Sequence, residues 1–345
     1  MTIELVLGRL LILAPPALVA PLLSLALIVL LRPWLERYAL VSPNARSSHQ
    51  RPTPQGGGIA VVVATLVVAW CAVTLLPAFN EARSGAFAAV TAAAALLALV
   101  GAVDDIRTLP AALRLVLQCV AVGGVIAALP TEWQILPLVP WWVERACLFV
   151  AGVWFVNLVN FMDGIDWMTV AETVPLTGAL VLLGLFGVVA PLPALLAAAL
   201  LGAMLGFAPF NKPVAKLFLG DVGSLPIGLL LGWLLLELAR HGHLTAAIIL
   251  PLYYLADGTS TLLARIYRGE PVWQAHRQHY YQRAIDRGFT VPQIVGRVFL
   301  VNLVLVALAL ASVASAPRLL VSALWLAMAA AIVGWLLWTF AHGKR

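Results

Sequence analysis

Long apolar runs without strand-like alternation divide the chain into eleven segments, at about 10–31, 57–77, 86–103, 111–129, 142–160, 173–189, 192–209, 222–239, 245–264, 294–313 and 319–341. Each is close to the roughly 20 residues that a helix needs to cross a bilayer. Continuous apolarity of this length excludes a membrane barrel, whose strands alternate. Charge, proline and glycine mark the breaks between runs; the break between the sixth and seventh rests on Pro191 and Pro193. The expected fold is all-α, a polytopic integral membrane helix bundle with ten or eleven transmembrane helices in a single domain over residues 1–345. The first run is longer than a signal-peptide core and lacks a small-x-small cleavage site, so it is expected to remain as a span.

Composition agrees. The chain is 63% apolar and 10% charged, with a mean hydropathy of +1.00, whereas soluble domains carry roughly 25% charged residues. Its net charge of +6 does not indicate nucleic acid, because the basic residues lie in short loops between spans. With the N-terminus outside, sixteen of the 21 Lys and Arg fall on one side, leaving Arg9, Arg83, Arg145, Arg240 and Arg318 on the other. The richer side is assigned to the cytoplasm, which also receives the C-terminus. The segments with room for chemistry are then about 32–56, 104–110, 161–172, 210–221 and 265–293. Cys71, Cys119 and Cys147 lie in apolar runs with neither zinc-ligand nor disulfide spacing and read as packing residues.

All seven aspartates fall on the cytoplasmic side or in the cytoplasmic half of a span. An ionisable group at membrane depth costs at least ~2.5 kcal/mol, so such groups usually line a site. Asp104 and Asp105 close the third run in GAVDDIRTLP. Adjacent carboxylates repel unless a cation lies between them, so the pair reads as a metal-phosphate or proton-accepting site, or else as a solvated cap of the next helix. Asn157, Asn160, Asp163 and Asp166 follow at three-residue spacing, and the first three share a helical stripe. Their oxygens suit magnesium or a polar nucleotide; the plainer reading is a polar stripe for helix packing. Asp221 stands between Gly220 and Gly223 at the start of the eighth run, where a helix N-terminus offers a phosphate site and helix capping is the alternative.

The late loop carries AHRQH. His276 and His279, three apart, would face the same way on a helix, with Arg277 between them suited to phosphate. The segment SHQRPTPQGGG, with Arg51, leads into the second run through a glycine stretch. Asp257 lies within the ninth run and either lines the site or pairs with Arg265.

In this order, SHQRPTPQGGGIA, GAVDDIR, NLVNFMDGID, KLFLGDVGS and RGEPVWQAHRQHYYQRAIDRGFT resemble the polyprenyl-phosphate N-acetylhexosamine-1-phosphate transferases. This superfamily includes the peptidoglycan translocase and the enzymes that start O-antigen. The motifs span residues 48 to 290. The resemblance implies an enzyme of the bacterial inner membrane with its site facing the cytoplasm. Its substrates would be a UDP-N-acetylhexosamine and undecaprenyl phosphate, and its products undecaprenyl-diphosphate-sugar and UMP. It implies that Asp104 and Asp105 are the acidic pair and Asp221 the magnesium aspartate, with Asn160 sharing the metal; manganese is a possible substitute. Asp163 and Asp166 would hold the nucleotide, and Arg51, Asn157, His276, Arg277 and His279 would contact substrate. The late loop lacks the three successive histidines of the peptidoglycan translocase and is similar to the O-antigen-initiating branch. That departure speaks against a muramyl-pentapeptide donor; the alternatives are a transporter or flippase for lipid-linked sugars and a peptidoglycan-type phospho-muramyl-pentapeptide transferase. Membrane lipid is an expected partner, nucleic acid is not, and a homodimer is compatible. Direct in-line attack and an aspartyl-phosphate route both stay open.

Overall fold

The computed structural model describes residues 3–41, 52–76, 79, 85–271, 277–315 and 318–343. Its helices are α1 (Ile3–Tyr38), α2 (Gly58–Leu75), α3 (Gly85–Ile106), α4 (Ala111–Ala127), α5 (Trp141–Met162), α6 (Met168–Leu185) and α7 (Pro191–Asn211), followed by α8 (Asp221–Leu238), α9 (Leu244–Ile249), α10 (Leu252–Tyr267), α11 (Tyr280–Asp286), α12 (Val291–Ala314) and α13 (Leu319–His342). All eleven predicted runs are helical. Among the described residues, nine helical stretches are long and apolar enough to cross a membrane. The fold is an all-α polytopic membrane bundle.

Two departures from the apolar pattern have local causes. The ninth run is divided, because Pro251 lacks the N–H that would continue α9 into α10. Helix α6 begins at Met168, earlier than hydropathy indicated, since Thr169, Glu172 and Thr173 of its first turns are buried in the bundle rather than left in a loop. Helix α1 has 36 residues and contains Pro15, Pro16, Pro21 and Pro33. Neighbouring helices make such prolines tolerable within a membrane span, and α1 lies along α7. Helix α8 is buried along most of its length and packs on α3 and α5.

The ends of α1, α3, α5, α7 and α10 meet the starts of α2, α4, α6 and α8 on one face. The antiparallel pair β1 (Leu40–Val41) and β2 (Thr53–Pro54) seals part of it. The chain after β2 then docks on the segment before α8: Phe218 N–H donates to Pro54 O at 2.9 Å, Gly57 N–H to Phe218 O at 2.9 Å and Gly58 N–H to Leu219 O at 2.8 Å. The glycine stretch thus serves close backbone packing at this face.

Candidate active site

Helices α3 and α8 touch without intervening side chains. A Cβ on Gly101 would lie 2.3 Å from the Asp221 carbonyl carbon. Gly220 has φ +77°, a conformation that suits glycine, and a Cβ there would lie 2.4 Å from Asp105 Oδ2. The last turn of α3 is therefore pressed against the first turn of α8, which brings the acidic pair to Asp221.

The two members of the pair have different partners. Asp105 Oδ1 accepts from the Asp221 N–H at 2.9 Å and Oδ2 from the Val222 N–H at 3.2 Å. Two of the unpaired amides of the helix N-terminus are thereby satisfied. The expectation of a phosphate site on these amides is corrected: a carboxylate already holds them, while the Gly223 and Ser224 amides bond to Gly220 O. Asp104, with its side chain 8% exposed, accepts from the Leu109 N–H at 2.6 Å and from Arg114 Nη1 at 2.6 Å. Arg114 also reaches Asp221 Oδ2 at 3.2 Å, so its guanidinium lies between two carboxylates. Asn160 Nδ2 donates to Asp221 Oδ1 at 2.8 Å and to Ser224 Oγ at 2.9 Å. Among the described residues, the side-chain oxygen Oδ1 of Asn160 forms no hydrogen bond, while its backbone carbonyl accepts from the Asp163 N–H at 3.3 Å. The Asp221 side chain is 25% exposed, the more open of the two carboxylates that Arg114 bridges.

The segment after α5 adds a third acid. Asp163 Oδ1 accepts from Thr169 Oγ1 at 2.5 Å. Burial pushes its carboxyl up to about 8; the Thr169 bond pulls the other way, and Asp221, Asp105 and Asp166 add to the rise. Asp166 is 4% exposed and accepts from the Ala215 N–H at 2.9 Å, tying the turn after α7 to the start of α6. Trp167 adopts φ 63° between them, with its N–H bonded to Asn211 Oδ1 at 2.8 Å and its indole to Ala208 O at 2.7 Å. Asn157 donates to Gln118 Oε1 at 2.6 Å and to Val153 O at 2.8 Å, joining α5 to α4.

In the late loop the helical-spacing argument is corrected. Helix α11 begins only at Tyr280, so His279 is its N-cap and its direction does not follow a helical period. The His279 ring, 4% exposed, turns inward with Nδ1 3.1 Å from Asp257 Oδ1. Asp257 is fully buried and also accepts the Tyr280 and Tyr281 amides at 3.0 and 3.3 Å. It anchors the start of α11, while Arg265 pairs with Glu270 at 3.1 Å. Arg277 Nη2 lies 3.5 Å from Asp286 Oδ1. Tyr281 Oη donates to Phe161 O at 3.1 Å, fastening the late loop beside Gly164 and Asp163. The substrate candidates Arg51 and His276 lie outside the described residues.

Asp221 and the side-chain oxygen of Asn160 are oxygen donors of the kind a hard divalent cation takes, whereas both Asp104 oxygens are already engaged by the Leu109 N–H and Arg114. Arg114 and Ser224 escaped sequence reading. Arg114 entered only as a topology marker, although an arginine in the first turn of an apolar helix, nine residues after an acidic pair, is itself a signal.

The model of glycosyl transferase family 4 matches residues 87–239, from α3 to the end of α8. A phospho-N-acetylmuramoyl-pentapeptide-transferase of Streptococcus pneumoniae is 30% identical over 250 residues, covering 64% of this chain and 72% of that protein. The chain belongs to glycosyl transferase family 4. A decaprenyl-phosphate N-acetylglucosaminephosphotransferase of Mycolicibacterium smegmatis is 32% identical over 214 residues, 56% of this chain. The chain spans 52%, about half, of that relative's length. A probable undecaprenyl-phosphate N-acetylglucosaminyl 1-phosphate transferase of Bacillus subtilis is 24% identical over 301 residues, with 83% of this chain and 82% of that protein covered. The family 4 region contains Asp104, Asp105, Arg114, Asn157, Asn160, Asp163, Asp166 and Asp221; Asp257 and the late loop lie beyond it.

Proposed function

We propose that this family 4 protein transfers an N-acetylhexosamine 1-phosphate from a UDP-sugar to undecaprenyl phosphate at the cytoplasmic face of a bacterial inner membrane, releasing UMP and starting a cell-surface polysaccharide. The observation that carries the reading is the Asp104–Arg114–Asp221–Asn160 constellation, built from α3, α4, α8 and α5 at one face of a membrane bundle. The names of the three relatives describe transfer of amino-sugar phosphates, two of them to polyprenyl phosphates, and support the reaction class.

Two phosphates must approach each other, and their repulsion is the barrier. Asn160 and Asp221 would hold magnesium, or manganese in its place. A bound magnesium ion supplies counter-charge for the donor diphosphate and the leaving UMP. Arg114, a planar fork of five donors, orients the lipid phosphate, and Asp104 positions Arg114. An oxygen of the lipid phosphate attacks the β-phosphorus of the donor in line; the bond from that phosphorus to the bridging oxygen breaks and UMP departs. Asp105 is a positioning residue that sets the start of α8. Asp163, held neutral near pH 7, borders the site without adding to the negative charge the substrates meet.

An apolar cavity of about 260 Å³ lies between α4, α5, α8 and α10, lined among others by Val122, Trp154, Val156, Gly228 and Leu255. Val156 and Gly228 sit about 6 and 10 Å along their helices from Asn160 and Asp221 at 1.5 Å per residue. Such a cavity accommodates the beginning of a polyprenyl tail while its phosphate reaches the acids.

Purified protein supplied with undecaprenyl phosphate and a panel of UDP-N-acetylhexosamines and UDP-muramyl-pentapeptide should release UMP with one donor class, only with divalent cation. Asp221→Asn should lower that release at least about a hundredfold, the scale of losing a preorganised electrostatic contact, while the protein still folds. No release with any donor, or near wild-type activity in the variant, overturns the reading.

A further inference from the structure

Helix α10 has two unlike faces. Asp257, Gly258 and Arg265 are buried, and a Cβ on Gly258 would strike Leu158 of α5, so this side closes against the catalytic half of the bundle. The other side carries Ser260, Leu263 and Ala264, with Leu263 59% exposed. There α10, α11 and α13 enclose two adjoining cavities that share Ser260, Tyr280 and Arg283. The first, about 750 Å³, runs between Leu252, Leu255 and Leu263 of α10 and Leu337 and Trp338 of α13. The second, about 340 Å³, is lined by Arg268, Arg277, Gln278 and Arg283 and, among the described residues, by no carboxylate. It opens on the face that holds the acid cluster, since Tyr281 in the same short helix bonds to Phe161 O.

An apolar slot ending in three arginines is complementary to a molecule with acyl chains and an anionic head. Basic pockets between transmembrane helices hold anionic lipid headgroups in this manner, and Trp338 lies where an interfacial aromatic would flank the glycerol region. The acids that pair with these arginines, Glu270 at 2.9 Å from Arg268 Nε and Asp286 at 3.5 Å from Arg277 Nη2, lie outside the lining. Arg283 rests over the Tyr280 ring at 5.2 Å and Arg268 donates to Gln278 Oε1 at 2.5 Å, so the guanidinium groups are braced at the rim.

We propose that the α10–α11–α13 groove is a binding site for an anionic phospholipid of the surrounding bilayer, with its phosphodiester at Arg268, Arg277 and Arg283 and an acyl chain along Leu255, Leu263 and Leu337. The site is separate from the one that takes the lipid acceptor: α10 packs on α5, and α5 packs on α8, which carries Asp221. It depends on the membrane fold alone and holds whatever reaction the acid cluster performs.

The test is native mass spectrometry of the full chain in detergent, titrated with phosphatidylglycerol and with phosphatidylcholine. Phosphatidylglycerol should be retained in preference, and Arg268→Gln with Arg283→Gln should weaken it about fivefold per arginine removed, from about 1 kcal/mol each. Arg268→Lys with Arg283→Lys should keep most of the preference. Ser260→Trp leaves the arginines in place but fills the junction of the two cavities, so it should remove the acyl-chain contribution and lower retention. Thermal unfolding of each variant confirms a folded protein. Equal retention of the two lipids, an unchanged preference in the glutamine or tryptophan variants, or full displacement by millimolar inorganic phosphate would each overturn the proposal, the last by assigning the pocket to a free anion.

Discussion

The carboxylate of Asp105 accepts the backbone N–H of Asp221 at 2.9 Å, so one acid of the site places another. A residue in this position acts through geometry, and its two hydrogen bonds can be removed separately. Asp105→Ala loses both acceptors, on the order of 1 kcal/mol each, whereas Asp105→Asn keeps one oxygen able to accept. Thermal unfolding should therefore rank wild type above Asn and Asn above Ala, with UMP release lowered in both. An Ala variant as stable as wild type would remove the positioning role.

Arg114 bridges Asp104 and Asp221 at 2.6 and 3.2 Å. Arg114→Met leaves two carboxylates facing each other without their cation, and kcat should fall at least about a hundredfold, the low end of losses from removing one electrostatic contact. Arg114→Lys should fall between, since a single ammonium keeps the charge but not the planar fork. Steady-state kinetics across the three proteins decides; an unchanged kcat in the Met variant places Arg114 outside the chemistry.

Asp163 gives a dependence on pH. Its carboxyl is raised to about 8 in the folded protein by burial, from an ordinary value of 3.8. The folded state therefore holds a proton that the unfolded state releases earlier, and stability is lost as pH rises from about 4 to about 8, then levels off. Asp163→Asn cannot ionise and still offers Thr169 an acceptor. Its unfolding temperature should match wild type at about pH 4.5 and exceed it increasingly toward pH 8.5. Parallel curves over that range would contradict the assignment.

The contact between the late loop and the acid cluster can be tested by a double substitution. A Cβ on Gly164 would lie 2.0 Å from Tyr281 Oη, so Gly164→Ala should lower both activity and stability by forcing α11 away. Tyr281→Phe removes the hydroxyl and its bond to Phe161 O, a loss of about 1 kcal/mol. Combined, the two should cost less than their sum, because the second removes the atom that the first collides with. Additive losses in unfolding temperature and in UMP release would show that the two residues do not meet.

Much of this protein could be read before its structure. Apolar runs locate helices because a membrane tolerates little else, and the acids at their ends stood out because charge at that depth is costly. Pairing across the bundle was the illegible part. Asp105 bonds to a residue 116 positions away and Arg114 to one 107 positions away, and no local period encodes which helices are neighbours. His279 shows the same limit from the other side: its spacing from His276 implied a shared helical face, but the buried Asp257 captures the ring and starts the helix one residue later. Asp257 itself was visible as an acid within an apolar run, yet its partners, three consecutive residues of a distant loop, were not.

The backbone contact between α3 and α8 has a consequence for natural and laboratory variation. Gly101 touches no substrate in the proposed reaction, yet it has no room for even a methyl group beside Asp221, and Gly58 is in the same situation against Gly223. A loss-of-function screen should therefore return these glycines together with the aspartates. Sorted by phenotype alone, they would pass for members of the catalytic set, when their part is to leave space.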